Sequence, residues 1–318
     1  MGTFLIRRLV QIVPLLFGIT ILVFLLVNAV PGSPVSDLQF NPDVTPEDIA
    51  QAKHALGLDQ PLYTRYFVWL GNVVRGDLGQ NLITHRPVSR DIAEKLPNTL
   101  KLTVAAFLLA IGLAIPLGVY SALRRNTWFD NVATFAATAG VAIPRFWFGL
   151  ILILVFAVNR RWFPTGGTVT LGAAGGGLGD QLRHLVLPAI TLAIAELSGW
   201  TRYIRGQMLE VIRQDYIRTA HAKGLHERTI IFRHALRNAF LPLVTLLGLA
   251  LPEFFGGALI VETIFSWPGI GRLTYDAAVQ RNYTVIMGTV LLSSVLVILG
   301  NLFADIGYGL LDPRIKQR

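Results

Sequence analysis

Six stretches of this chain are each long and apolar enough to cross a lipid bilayer, and nothing else in it limits the possible folds so strongly. A hydrocarbon core about 30 Å thick takes roughly 20 apolar residues per helix. The stretches run at about 9–30, 99–123, 131–158, 184–204, 238–264 and 286–311. Pro144 and Arg145 interrupt the third, and Pro252 and Glu253 the fifth. The fourth is the least apolar, with Glu196 inside it and Pro188 near its start. Composition agrees: 53% of the 318 residues are hydrophobic and 15% charged, against about a quarter charged in a soluble domain. The expected fold class is an all-α polytopic membrane protein with six transmembrane helices.

Arg7 and Arg8 precede the first stretch, and Val27-Asn28-Ala29 loosely resembles a cleavage site. Its apolar run exceeds the roughly 7–15 residues of a signal peptide, so it reads as a retained span. A net charge of +9 could indicate nucleic acid, but its distribution indicates a membrane instead. Basic residues concentrate on cytoplasmic loops of membrane proteins. Here they gather at Arg7 and Arg8, at Arg124 and Arg125, between spans four and five, and in the tail at Arg314, Lys316 and Arg318. These segments alternate along the chain and so share one side, the cytoplasm, which places both termini there. Residues 31–98, with six basic and eight acidic side chains, fall outside. Arg160 and Arg161, at the outer end of span three, oppose the rule. Cysteine is absent, which removes disulfides and thiolate chemistry.

The outer segment is too long for a turn and is expected to form a small helical subdomain. Within it Thr45 reads as a helix N-cap, with Pro46 at the first helical position and acids in the first turn. Residues 166–179 are Gly-rich without apolar period, which predicts a flexible outer loop. The division expected is a cytoplasmic end and first span (1–30), the external segment (31–98), a permeating core (99–311) that includes a cytoplasmic loop at 205–237, and a tail (312–318).

That loop is the informative one. Ile217, Ala220 and Leu225 can share one helical face, and Ile230, Ile231, Ala235 and Leu236 another, with charges elsewhere. Two short amphipathic helices joined at Gly224 are expected, because glycine takes a left-handed turn cheaply. Periodicity alone leaves open an interfacial helix holding anionic lipid by its basic face.

The residues 214–239 resemble the cytoplasmic coupling loop of ABC importer permeases. The family pattern is Glu-Ala-Ala, three residues, Gly, nine residues, Ile, one residue, Leu-Pro. Ala220, Gly224 and Leu236 agree with it, whereas Arg218, His234 and Arg237 stand where the acid, the Ile and the Pro belong. Those departures resemble the peptide/nickel branch, in which an Arg-His-Ala-Leu-Arg-Asn-Ala stretch like 233–239 follows the glycine. The opening Arg7-Arg8, then Ala29-Val-Pro-Gly-Ser-Pro, Leu56-Gly-Leu-Asp-Gln-Pro-Leu, Gly76-Asp-Leu-Gly, Val261-Glu-Thr-Ile-Phe-Ser-Trp-Pro-Gly-Ile-Gly and Tyr308-Gly-Leu-Leu-Asp-Pro-Arg resemble the same branch, in order along the chain.

The resemblance implies a type I importer permease fold and a heterodimer with a second permease. It also implies two cytoplasmic ATPases, an extracytoplasmic solute-binding protein, and peptides as cargo, with nickel or another small solute as the alternative. Arg218, Ala220, Lys223, Gly224 and Leu225 are then the expected ATPase-coupling residues. The chain carries no Gly-x-x-x-x-Gly-Lys-[Ser/Thr] loop, so ATP and Mg belong to the partner subunits and this chain is expected to bind no cofactor and to be no enzyme. Four ionisable residues fall within spans: Arg145, Glu196, Glu253 and Asp305. Charge in hydrocarbon is costly and faces a cavity or a partner. Arg145 either contacts a substrate carboxylate or neutralises an acid such as Glu253; Asp305 reads as a structural or subunit contact.

Two other classes are weaker. Gly177-Leu-Gly-Asp180 with Tyr275-Asp276 could supply the paired aspartates of an intramembrane protease, but both aspartates fall in loops and in the wrong order. A passive channel gives no reason for the basic amphipathic loop. The six histidines are scattered, and no metal site is expected.

Overall fold

The computed structural model describes residues 2–29, 45–55, 57–170, 172 and 176–311. It covers the backbone but not the side chains of 2–9, 49, 52, 55, 241–242, 244–245, 248–249, 251–252 and 303–311. Residues 30–44, with most of the Ala29-Val-Pro-Gly-Ser-Pro block, lie outside the described residues, as do the basic tail and the side chains of Arg7, Arg8, Pro252 and Asp305.

Among the described residues the fold is helical, with no β-strand and one isolated bridge at Gln80 and Pro87. The helices are α1 (Gly2–Ala29), α2 (Pro46–Ala55), α3 (Leu62–Val74), α4 (Val88–Leu123), α5 (Trp128–Ala142), α6 (Arg145–Leu152), α7 (Leu178–Val211), α8 (Asp215–Ala222), α9 (Glu227–Thr229), α10 (Leu236–Ile264), α11 (Ile270–Val279) and α12 (Tyr283–Leu311). A π-helical stretch, Ile153–Asn159, prolongs α6, and another, Ile230–Ala235, joins α9 to α10.

Each of the six apolar stretches coincides with helix, but not with six straight spans. Among the described residues four helices are long and apolar enough to cross a bilayer: Val10–Ala29, Val88–Leu123, Leu178–Val211 and Tyr283–Leu302. The third stretch is a bent pair, with α5 and the α6 segment meeting at 109°. Proline disfavours the helical conformation of the residue before it, and Ile143 is accordingly extended, at φ −77° and ψ 125°. Counted as one span, the pair makes five. The fifth stretch is α10, one unbroken helix of 29 residues, several of whose side chains fall outside the described set.

The chain divides into two compact units. The first joins Met1–Pro97 to Gly269–Leu296. Here Thr45 caps α2 as expected: its hydroxyl accepts from the Asp48 amide at 3.2 Å, while the Asp48 carboxylate accepts from the Thr45 amide and hydroxyl. Those bonds, the backbone one first, hold the Asp48 carboxyl below its usual range. A buried amide pair ties the outer segment to the turn before α12, with Asn282 donating to Asn81 at 2.7 Å and Asn81 donating to Asp91 at 2.8 Å.

The second unit joins Asn98–Pro268 to Val297–Arg318 and holds the main core. Helix α7 is its centre. A methyl group added at Gly118 on α4, Gly140 on α5 or Gly149 on α6 would collide with α7 at Ile204, Ser198 or Thr191 respectively. Small residues of this kind let membrane helices approach closely. The start of the Gly-rich loop is tied down rather than loose, as His184 bonds to the carbonyls of Gly166 and Gly167, and Thr170 bonds to Asp180.

Candidate functional site

Two features of the second unit carry chemistry or mechanics: a charged centre within the helices, and the turn at Gly224.

Arg145 begins α6 immediately after the break at Pro144. Its guanidinium donates to Glu196 of α7 at 3.0 Å and lies 3.7 Å from Glu253 of α10. The structure therefore brings three of the four intramembrane residues together and makes Glu196, rather than Glu253, the nearer partner. Arg145 and Glu196 are largely enclosed, whereas Glu253 is 62% exposed on its side chain. Gly257, one turn along α10 from Glu253, supplies the space, because a side chain there would run into the Arg145 guanidinium. A lone intramembrane charge is costly, and this one is neutralised in place.

Helix α8 ends in a Schellman turn. The Gly224 amide bonds to the His221 carbonyl at 2.9 Å and the Leu225 amide to the Ala220 carbonyl at 3.3 Å. This geometry needs a left-handed residue, and Gly224 sits at φ +70°. His226 then caps α9, accepting from the Arg228 amide. The segment beyond the turn differs from the expected second short helix. It is continuous through the π-helical stretch with α10, so the turn joins α8 to the end of a long helix.

The residues expected to couple divide. Ile217 and Ala220 are buried in the unit's own core, and so are Ile230 and Ala235. Ala220 thus anchors α8 from inside. Leu225, expected on that face, points outward at 40% exposure. Arg218, Lys223 and Gly224 are exposed too, and among the described residues nothing beyond its two chain neighbours lies within 4 Å of where a Gly224 side chain would begin.

The model of the family described as "Binding-protein-dependent transport system inner membrane component" matches residues 114–317, and that of its N-terminal region matches 1–103. The chain belongs to this family. Relatives agree over full length. The oligopeptide transport system permease protein AppB of Bacillus subtilis is 48% identical, covering 99% of this chain and all of its own. The di/tripeptide transport system permease protein DppB of Pseudomonas aeruginosa is 41% identical, and the glutathione transport system permease protein GsiC of Escherichia coli 37%, each over both whole chains. Among solved structures, a chain of the MetNI methionine ABC transporter in inward facing conformations superposes with a TM-score of 0.56 at 17% identity, covering 70% of this chain and 96% of that one. At that identity the likeness shows the fold, a type I ABC importer permease. The protein is thus a multi-pass membrane permease subunit of transport type.

The permease holds two further polar links that the sequence did not disclose. Arg205, near the end of α7, grips Asp130 at the start of α5 through two bonds of 2.5 and 2.7 Å, with the carboxylate almost wholly buried. Arg205 reads as one of many basic loop residues; the sole signal is that Asp130 is the only acid between 95 and 179. Glu262 is fully buried and accepts from Thr99 at 2.7 Å. It belongs to the Val261-to-Gly271 block, whose Phe265 and Trp267 are also buried, with the indole donating to the Asn98 carbonyl. Glu262, Phe265 and Trp267 of that block are therefore core structure in this unit.

Proposed function

We propose that this permease is one transmembrane subunit of an ATP-driven importer of di- and oligopeptides, working with a second homologous permease, two cytoplasmic ATPases and an extracytoplasmic solute-binding protein. One observation carries the cargo assignment: relatives matching the whole chain at 48% and 41% identity are permeases of oligopeptide and di/tripeptide transport systems. Glutathione, named for a third relative, is itself a tripeptide. Nickel is less supported.

In this reading the cytoplasmic turn transmits the ATPase stroke. An ATPase shifts the permease between states only by contacting them differently. Arg218, Lys223, Gly224 and Leu225 offer it an exposed knob, Ala220 fixes that knob to the core, and the continuous helix behind it leads into α10. Glu253 lies on α10, so tilting that helix moves it relative to Arg145. The Arg145–Glu196–Glu253 centre is a structural ion pair beside the pathway, not a carboxylate receptor. Asp305, whose side chain lies outside the described residues, is read as a structural or subunit contact. Both termini are cytoplasmic and residues 31–98 external, as the loop charges indicate.

The test is reconstitution of the permease with the partners encoded beside it, followed by uptake of labelled di- and oligopeptides. Uptake requiring ATP and the binding protein is expected. Solute flux without ATP, or ATP-dependent uptake of nickel but no peptide, overturns the reading.

A further inference from the structure

Helix α3 has three distinct faces. Its inner face, Tyr66 with Trp69 and Leu70, packs on Phe24 and Val27 of α1 and Met287 of α12. Its Tyr66 hydroxyl bonds to Thr20 of α1 at 2.9 Å, and the Tyr66 ring stands edge-on to Phe17 and Phe24. At about 100° per residue, Tyr63, Phe67 and Val74 form a second face to one side of it. They are 69%, 62% and 80% exposed. The third face, on the opposite flank, is polar and carries Arg65 and Asn72.

Among the described residues nothing covers the second face, and its position says what covers it. The α1 residues that α3 touches, Phe17 to Val27, lie inside the apolar span Val10–Ala29. Thr20 is nine residues before the end of that span, about 13 Å along the helix axis. A segment packed at that depth is beside the hydrocarbon, not above it. Leu22, Leu25 and Leu26 of α1 are exposed as well, residues of a span that only lipid or protein can cover. Charge is arranged to match: the one charged residue of α3, Arg65, stays on the flank away from the stripe, its guanidinium 6.0 Å from the Phe24 ring. An apolar stripe with rings, opposed to a polar flank, is the pattern of a helix lying in a membrane interface.

We propose that α3, although it belongs to the segment outside the spans, is a lipid-embedded helix whose Tyr63–Phe67–Val74 face contacts acyl chains while Arg65 and Asn72 face headgroups and water. This rests on the chain being a membrane protein and not on its cargo, so a failed transport assay leaves it standing.

The cysteine-free sequence makes the test direct. Single substitutions F67C, V74C and N72C, in the assembled transporter in lipid nanodiscs, are labelled with a polarity-sensitive fluorophore. Each is then quenched by doxyl-labelled phospholipid or by aqueous iodide. Labels at 67 and 74 should emit to the blue of that at 72, respond to the lipid quencher, and respond at least about fivefold less to iodide. Iodide quenching at 67 and 74 equal to that at 72 overturns the proposal. So does protection at 67 and 74 from both quenchers, which would mean a protein partner covers the stripe.

Discussion

A valine at position 224 separates what the turn does for this chain from what it does for a partner. Gly224 has φ +70° and, among the described residues, nothing beyond its two chain neighbours within 4 Å of a prospective side chain. Within the permease the substitution therefore costs left-handed strain and no collision. That strain is about 1–2 kcal/mol for an L-residue, more for a β-branched one. Against a typical total of about 5–15 kcal/mol it leaves the protein folded and inserted. The turn geometry itself loses a factor of about 5–30 in population, and any bulk then meets whatever packs on the turn. Gly224→Val should consequently insert at wild-type levels yet retain its ATPases at least about tenfold more weakly, with peptide uptake falling in step. Gly224→Asn is the companion, since asparagine tolerates the left-handed region. Equal losses in the two variants mean that the partner is crowded; a loss for valine alone means that the backbone is strained. The assay is co-purification, ATP hydrolysis and uptake from one membrane preparation. Normal transport by Gly224→Val with ATPases bound would refute the coupling role of this turn.

The same structure yields three other expected outcomes. Arg145→Ala leaves Glu196 and Glu253 facing each other without their cation, so detergent-solubilised protein should lose about 3 kcal/mol of stability, and Arg145→Ala/Glu196→Ala should regain much of it; a stable single variant that assembles but does not transport would instead make Arg145 a cargo contact. Asp130→Asn removes the charge gripped by Arg205, and because Arg205 is a quarter exposed the loss should sit near the lower end of the buried-pair range, about 3 kcal/mol, read as a fall in unfolding temperature. Asp59→Cys should react with an impermeant thiol reagent in intact cells while His226→Cys should not, and reversed labelling would invert the topology.

Local chemistry is what the sequence displays well. Apolar length located the long helices, Thr45-Pro46 marked the start of α2, and Gly224 marked a left-handed turn, because each depends on neighbours in the chain. Helix ends set by tertiary packing were not visible. Helix α4 begins at Val88, eleven residues before its apolar stretch, because Val88 and Ile92 bury against Ile270, Ala277 and Val285. The bend at Pro144 was legible as a break but not as a 109° angle, since proline forbids a conformation without choosing the next direction. Leu225 was placed inward by a periodicity that stops at Gly224, and the turn rotated it out. Arg205–Asp130 and Glu262–Thr99 join residues 75 and 163 positions apart, and nothing local marks either pair.

The place of Arg145 at the first position of α6 has an electrostatic consequence. A helix N-terminus carries about half a positive charge, so an arginine there adds to a field of its own sign. No side chain caps this end. With Glu196 alone the guanidinium and the helix end keep about half a positive charge, and Glu253 turns that remainder into about half a negative one. If the proposed pathway runs beside it, a solute would meet an oriented set of opposite charges with only a small negative remainder. Such a field would turn a zwitterion without holding it strongly.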